Sequence, residues 1–418
     1  MVDTASVVIV GAGHSGFQTA KSLRDSGFTG PVTVLNGDAE APYQRPPLSK
    51  AYLTGKSGFD DLRFAAQEFY ARMDITLRNG VRAETINPAG RTLGLSDGTI
   101  LPYGHLVLAT GTKPRELTVP GSDADGVVGL RSVADADDIA ARLETSRNVV
   151  VIGAGFIGLE FVSVAVAKGH TPVVLEFAPR ILGRAASEPV SEYFLSHYRQ
   201  QGVDFRLGTA VERIETIDGK AVAVVDSKGT RHPADLVVVG IGVLPETSLA
   251  EQAGLTIDNG IFVDEFLGTS DPHISAVGDC CSYPSTTAGR VVRLESVQNA
   301  TDHGRCVAAK IVGTPRPYME LPWFWSDQGT KKLQIAGLNF GSDQQVIRGD
   351  LGGGKFSVFM YNDGELVAVD SVDRPMDHMS ARRLMAAKVP LSPQDAGDPD
   401  FDLKAFALKA RTAAATGA

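Results

Sequence analysis

Two stretches of this chain carry three glycines at one spacing, Gly11, Gly13 and Gly16 in GAGHSG and Gly153, Gly155 and Gly158 in GAGFIG. Such glycines allow a tight turn, a close approach of backbone to a pyrophosphate and close packing of helix on strand, while amides at the helix start face the negative charge. A single match is weak evidence. Two matches, each after a buried-looking strand and before a helix, predict two dinucleotide sites and therefore relay chemistry. At the end of the strand after the second motif stands Glu176, where a carboxylate accepts hydrogen bonds from an adenosine ribose and repels a 2′-phosphate. NADH is thus expected over NADPH, with Arg180 and Arg184 just downstream able to soften the discrimination.

Scarce residue types narrow the chemistry further. The only cysteines are Cys280, Cys281 and Cys306, too few for a disulfide framework and one short of the usual ligand set of an iron–sulfur cluster. No metal site is expected, and any iron–sulfur centre belongs to a partner. The adjacent Cys280 and Cys281 read as packing residues, since neighbouring cysteines rarely form a favourable disulfide. Against 40 basic residues stand 49 acidic ones, a net charge of -9, which disfavours a nucleic-acid surface and does not encourage binding to anionic lipid. No apolar run reaches the roughly 18 residues that a bilayer span needs. Met1 to Val10 leads into a strand without the marks of a secretory signal, so a cytoplasmic location is expected.

The elements that must position these residues alternate strand and helix. Val7 to Gly16 reads as strand, turn and helix start; Phe17, Ala20 and Leu23 continue at helical spacing, Gly27 ends the helix, and Val32 to Leu35 supply the next strand. The second motif repeats this grammar, with a helix over Leu159 to Ala167 and a strand over Val173 to Leu175. Two apolar runs ending in glycine, LVLATG at Leu106 to Gly111 and LVVVGIG at Leu236 to Gly242, look like domain crossings. TSDPHISAVGD, Thr269 to Asp279, looks like a strand returning to the first domain. From Trp323 onward short alternating strands appear, with an Asp363-Gly364 turn between the last two. Beyond Pro390 only Phe401 to Leu408 carries a core-forming pattern, and the last residues are expected to fray. A chain of 418 residues is too long for one core. The fold class expected is α/β, with two Rossmann-type nucleotide-binding domains and a C-terminal α+β domain.

Four separated stretches, RPPLSK at Arg45 to Lys50, GAGFIGLE at Gly153 to Glu160, TSDPHISAVGD, and PWFWSDQ at Pro322 to Gln328, stand in the order found in one family. Over essentially its whole length the chain resembles the ferredoxin reductases of bacterial oxygenase systems, the putidaredoxin, rhodocoxin and palustrisredoxin reductase family. That resemblance implies a glutathione-reductase-like fold: an FAD-binding domain from 1–112 and 247–322, an NADH-binding domain over 113–246, and an interface domain over 323–418. It implies FAD as cofactor, NADH as donor, and as acceptor a small acidic 2Fe-2S ferredoxin serving a haem monooxygenase or a ring-hydroxylating dioxygenase. An NADH-dependent rubredoxin, quinone or nitrite-system reductase is the alternative, and a flavin-binding signalling protein resembling apoptosis-inducing factor a more distant one.

Carried over residue by residue, the resemblance puts Gly11, Gly13, Ser15 and Gly16 at the FAD pyrophosphate, Arg45 and Arg131 among the FAD contacts, and Ala83 near adenine. Lys50 would lie beside the flavin N5 edge and meet Glu160, which also meets the nicotinamide carboxamide, so that the pair brings the reacting atoms toward attack geometry. Asp279 would bind the ribityl hydroxyls, which suits a carboxylate at a buried strand end, and Trp325 would lie by the flavin. The amide of Val297, at the start of a helix running to Ile311, would stabilise charge at the flavin N1 edge. Ile157 and Gly242 join Gly153, Gly155, Gly158 and Glu176 at NADH.

One departure concerns the carboxylate expected at the end of the second strand, where this chain reads Asn36-Gly37-Asp38. Either Asn36 takes the FAD ribose or the loop presents Asp38. Near position 43, where peroxidase and oxidase relatives carry a redox cysteine, stand Tyr43 and Gln44, so electrons leave from the flavin itself. For docking an acidic ferredoxin the resemblance points to Arg293, Arg305, Lys310, Lys331 and Lys332, with transfer falling steeply as salt is added.

Overall fold

Val7–Val10 and Val149–Ile152 are strands in which all four residues are buried, as parallel strands covered on both faces are. In the computed structural model, which describes residues 6–416 with side chains through 409, each lies at the middle of its own sheet, and the chain divides into two units. The first takes Met1–Gln44, Phe59–Lys113 and Val243–Pro322. Its parallel sheet runs Ile274–Ala276, His105–Leu108, Val7–Val10, Val32–Asn36, Ile75–Asn79. The strand Ile274–Ala276 therefore does bring the chain back to the first sheet.

The second unit takes Arg45–Gly58, Pro114–Gly242 and Trp323–Ala418. Its parallel sheet, Asp204–Leu207, Val173–Glu176, Val149–Ile152, Leu236–Val239, Val127–Gly129, repeats the order of the first in four strands, while its fifth, Val127–Gly129, precedes the glycine motif in the chain. In both, the order reverses beside the strand that enters the glycine turn, where the strand ends open a crevice for a ligand.

The same unit carries an antiparallel sheet ordered Trp323–Gln328, Lys331–Gly337, Glu365–Val372, Lys355–Asn362, Gln344–Asp350. Asp363 and Gly364 have φ of 49° and 78°, the two positive values that a tight hairpin of type I′ needs. Phe359, Tyr361 and Val369 on this sheet pack against Ala381 and Leu384 of the helix Pro375–Ala386 and against Leu403 and Ala407 of the helix Leu403–Thr416. The segment beyond Pro390 is thus more regular than its composition suggested. The fraying expected of the last residues falls on 417–418, and the lead-in before Ser6 on 1–5; both lie outside the described residues. Two further antiparallel sheets were not anticipated: Ala83–Asn87 with Thr92–Leu95 and Ile100–Pro102, and Val211–Ile217 with Lys220–Asp226 and Arg231–Pro233. The fold class is the expected α/β one. Among the described residues no helix is long and apolar enough to cross a membrane.

Candidate functional site

In the first unit the glycines divide the labour sterically. A Cβ on Gly11, whose φ is +105°, would collide with the Ala109 carbonyl, and one on Gly16 with the carbonyl of Gly11; one on Gly13 would meet nothing within 4 Å. Strand and helix are therefore pressed together at two glycines while the third faces open space. Gly13 is also the N-cap of the helix His14–Asp25, and no side chain caps that helix, an arrangement that leaves first-turn amides to an anion. These residues fit a dinucleotide pyrophosphate.

Other residues expected at FAD converge on this cradle. Gly304, on the helix Val297–Ile311, has no room for a Cβ, which would stand 2.9 Å from the Ser15 carbonyl and from the Thr19 amide, so the two helices touch backbone to backbone. Gly278 (φ +80°) abuts the Ser15 hydroxyl and opens the short turn Gly278–Cys280 that carries Asp279. The turn is held from behind: Nδ1 of His303 accepts the Gly278 amide at 3.1 Å. Burial pushes the His303 imidazole down to about 3, so it stays neutral and able to accept, boxed edge-on by Tyr283 and Tyr318. Sequence reasoning missed His303; its one signal was a histidine on the helix that starts at Val297. Ser296 caps that helix, its Oγ accepting the Asn299 amide at 3.1 Å, and the Val297 amide stands at the positive end.

Asn36 is buried and engaged: its Nδ2 donates to the Glu40 carbonyl (2.7 Å) and to Asn79 Oδ1 (2.9 Å), and its Oδ1 takes the Asp38 amide at 3.4 Å. It braces the loop that presents Asp38. Ala83 is half-buried on the strand Ala83–Asn87. The Cys280 and Cys281 thiols are buried and unpaired, donate to backbone carbonyls, and are pushed up by burial. Thiols so placed are poor nucleophiles, as expected of packing residues.

The second unit repeats the cradle. A Cβ on Gly153 (φ +101°) would strike the Gly240 carbonyl and one on Gly158 the Gly153 carbonyl, while Gly155 faces open space as the uncapped N-cap of the helix Phe156–Ala167. Glu176 accepts the Ala154 amide through Oε2 (2.6 Å) and the Ala178 amide through Oε1 (2.7 Å). A carboxylate anchored this way over the glycine turn keeps lone pairs for ribose hydroxyls. Arg180 faces other duties, donating to the Ala186 and Gly183 carbonyls and to Ser191. Of the two arginines that could soften the nucleotide choice, that leaves Arg184, which lies against Gly242. Ile157, in the first turn of the helix, is 43% exposed.

The helix Phe156–Ala167 is apolar nearly all round, and its Glu160 is only 4% exposed. A carboxylate buried there must be satisfied. Lys50 Nζ reaches Glu160 Oε2 at 2.7 Å and also the Pro46 carbonyl at 3.2 Å; Ser49 Oγ donates to Oε2 and Ser326 Oγ to Oε1, each at 2.5 Å. Ser49 closes the one-turn helix Pro46–Ser49 in RPPLSK, so two successive residues of that motif meet one carboxylate. Neither Ser49 nor Ser326 was singled out from the sequence, although both lie in quoted motifs; strand alternation, Phe324, Ser326 and Gln328 on one face, was the available signal. Near Lys50 in sequence, Arg45 donates to the Arg131 carbonyl at 2.8 Å, and Trp325 stacks on Trp323 at 5.6 Å.

Of the five cations expected to dock a partner, four face carboxylates: Arg293 with Glu295 (2.8 Å), Arg305 with Asp302 (2.5 Å), Lys331 with Asp373 (3.0 Å) and Lys332 with Asp327 (3.8 Å). Lys310 lies against Gly268, near Asp264.

Comparison with known proteins identifies the family and the fold. Residues 5–304 match the model of the pyridine nucleotide-disulphide oxidoreductase family, and residues 323–407 that of the reductase C-terminal family. The chain is 45% identical over 399 residues to rhodocoxin reductase of Rhodococcus erythropolis, covering 96% of this chain and 93% of that protein. It superposes with a TM-score of 0.94 on the ferredoxin reductase of the CYP199A2 system from Rhodopseudomonas palustris, at 45% identity, covering 96% and 99% of the two chains. A covalent complex of putidaredoxin reductase with putidaredoxin matches with the same TM-score at 39% identity, covering 97% and 99%.

Proposed function

The chain belongs to the pyridine nucleotide-disulphide oxidoreductase family, and from that premise we propose that it carries electrons from NADH through FAD to a 2Fe-2S ferredoxin of an oxygenase system. It is a ferredoxin reductase, an FAD flavoenzyme. One observation carries the reading: two uncapped glycine cradles in a chain whose adjacent cysteines, Cys280 and Cys281, are unpaired, buried and poor nucleophiles, which leaves the flavin to pass electrons on. When bound, FAD supplies the step from a two-electron donor to a one-electron acceptor.

The residues take the following parts. Gly11, Gly13, Ser15 and Gly16 hold the FAD pyrophosphate, Asp38 rather than Asn36 takes the adenosine ribose because Asn36 is taken up in bracing the loop through both Nδ2 and Oδ1, and Asp279 and the Val297 amide serve the flavin end. Gly153, Gly155 and Gly158 hold the NADH pyrophosphate, and Glu176 its ribose. Lys50 and Glu160 take up the nicotinamide carboxamide. The boundaries 1–112 with 247–322, 113–246 and 323–418 remain our division by function into FAD, NADH and interface parts. The working compartment is the cytoplasm, in keeping with three unpaired cysteines.

With NADH under anaerobic conditions the flavin absorbance is expected to bleach rapidly, and reduction of cytochrome c to depend strictly on added 2Fe-2S ferredoxin. Direct and efficient reduction of a quinone without that protein would instead support the alternative reading. Docking draws on the exposed cations of each unit taken by itself, above all Arg305 in the first and Lys332 in the second, whose side chains are 60% and 53% exposed. Because each has a carboxylate beside it, added salt should weaken transfer less steeply than an unpaired basic patch would dictate.

Nucleotide choice follows from Glu176. A 2′-phosphate there meets a carboxylate already fixed by two amides, and Arg180 is held by three other hydrogen bonds. NADH is expected to exceed NADPH in kcat/KM by at least about tenfold, and Glu176→Gln to narrow that ratio by raising the NADPH value. Equal efficiency of the two nucleotides with the unaltered protein would remove Glu176 from this role.

A further inference from the structure

The face of the strand Trp323–Gln328 that carries Phe324, Ser326 and Gln328 lies along the helix Phe156–Ala167, the first two meeting it directly and Gln328 through Tyr198 of the helix Glu188–Gln200. Phe324 packs on Phe156 with ring centroids 4.5 Å apart, Ser326 bonds Glu160, and Gln328 bonds Tyr198, whose hydroxyl lies 2.6 Å from Ser163. Alternate strand residues are about 6.7 Å apart and helix positions three or four residues apart about 4.5–6 Å, so the two rows stay in step.

The polar members form a chain whose direction is forced. Glu160 Oε1 takes Ser326 Oγ at 2.5 Å; as the Ser326 proton points there, its oxygen is left to accept Gln328 Nε2 at 2.7 Å. That turns Gln328 Oε1 toward Tyr198, whose hydroxyl donates to it at 2.5 Å. Ser326 and Gln328 are fully buried and Tyr198 is 1% exposed. Burial, followed by the nearby Glu160 carboxylate, pushes the Tyr198 phenol well up, so it remains a donor. Every proton in the chain points toward the carboxylate, and aligned bonds of this kind polarise one another in a water-poor interior.

We propose that Ser326, Gln328 and Tyr198 are positioning residues for the reductive half-reaction, acting through Glu160: they fix the plane of its carboxylate so that it receives the nicotinamide carboxamide in one orientation. The inference rests on the reading of Glu160 given above. Lys50 and Ser49 both bond Oε2; Ser326 is the bond on the other oxygen, and without it the carboxylate is free to rotate about the Oε2 contacts.

The test uses the FAD-loaded protein and two unreactive ligands, measured by calorimetry: ADP-ribose, which lacks the nicotinamide, and tetrahydronicotinamide adenine dinucleotide, which carries it in reduced form but yields no hydride. Ser326→Ala and Gln328→Leu are expected to weaken the dinucleotide about three- to tenfold while leaving ADP-ribose unchanged; Tyr198→Phe should do so less, and Ser326→Thr, which keeps the hydroxyl, should behave as the unaltered protein. ADP-ribose binding also reports that the cradle is folded in each variant. If Glu160→Gln loses the nicotinamide-dependent advantage but Ser326→Ala and Gln328→Leu keep it, or lose both ligands equally, the chain is structural and the inference fails. If Glu160→Gln itself keeps the advantage, the reading of Glu160 fails first, and the positioning role with it.

Discussion

Glu160→Gln is expected to slow NADH-driven bleaching of the flavin by about ten- to a hundredfold, the range in which misplacement of a reactant by an ångström is felt. The amide keeps the shape of the side chain but replaces one acceptor oxygen with a donor. Three donors, from Ser49, Lys50 and Ser326, now converge on that carboxylate, so one of them must face a second donor and turn away. Lys50→Met attacks the same pair from the other side with a different signature. It leaves a carboxylate that is 5% exposed without its counter-charge, which costs about 3–5 kcal/mol when a buried pair is broken, at the lower end here because Ser49 and Ser326 still donate. Loss of thermal stability should therefore be larger in Lys50→Met than in Glu160→Gln. The two residues act as one unit, so the double variant should lose much less rate than the product of the single losses. Stopped-flow bleaching and thermal melts of the three variants measure this, and losses that simply multiply would separate Lys50 from Glu160.

The parts of the molecule legible in the sequence are those dictated locally. Gly11, Gly16, Gly153 and Gly158 are glycines because a Cβ would strike backbone a few residues away or on the adjoining strand, and this need is written at fixed spacing. The hairpin at Asp363-Gly364 and the helix from Val297 to Ile311 are equally local. Assembly over long sequence separation leaves no such mark. Ser49, Glu160 and Ser326 meet at one carboxylate from three distant segments, and Gln328 reads as an ordinary polar strand residue until its complete burial is seen. The strand Ala83–Asn87 is mostly exposed or half-exposed, so it lacks the apolar alternation that reveals a strand. Sequence shows the sign of the five docking cations but not the carboxylates that face four of them. Asn36 and Asp38 stayed alternatives at the ribose for the same reason, the partners of Asn36, Glu40 and Asn79, lying across a loop and on the adjoining strand.

Gly16→Ala and Gly158→Ala should divide the two nucleotide sites cleanly. In the first unit a Cβ at position 16 overlaps the Gly11 carbonyl and comes within 3.3 Å of the Ile9 side chain. Backbone is unable to give way as a side-chain end does, so the helix His14–Asp25 must lift from the strand, and its first-turn amides leave the place where they meet the pyrophosphate. That protein should purify nearly colourless, with a ratio of flavin to protein absorbance well under a tenth of normal and FAD affinity lowered by at least about a hundredfold, equivalent to about 3 kcal/mol. Gly158→Ala meets the Gly153 carbonyl in the same way but should stay yellow, bind ADP-ribose poorly and resist bleaching by NADH, while dithionite still reduces it. Gly13→Ala supplies the contrast: apart from its two chain neighbours, no atom of the described residues lies within 4 Å of the new methyl group, so the fold should survive with thermal stability near normal, and the ligand is what would meet the methyl. A Gly16→Ala protein that keeps a full complement of FAD, or a Gly158→Ala protein that is colourless, would mean that the cradles have been assigned to the wrong nucleotides.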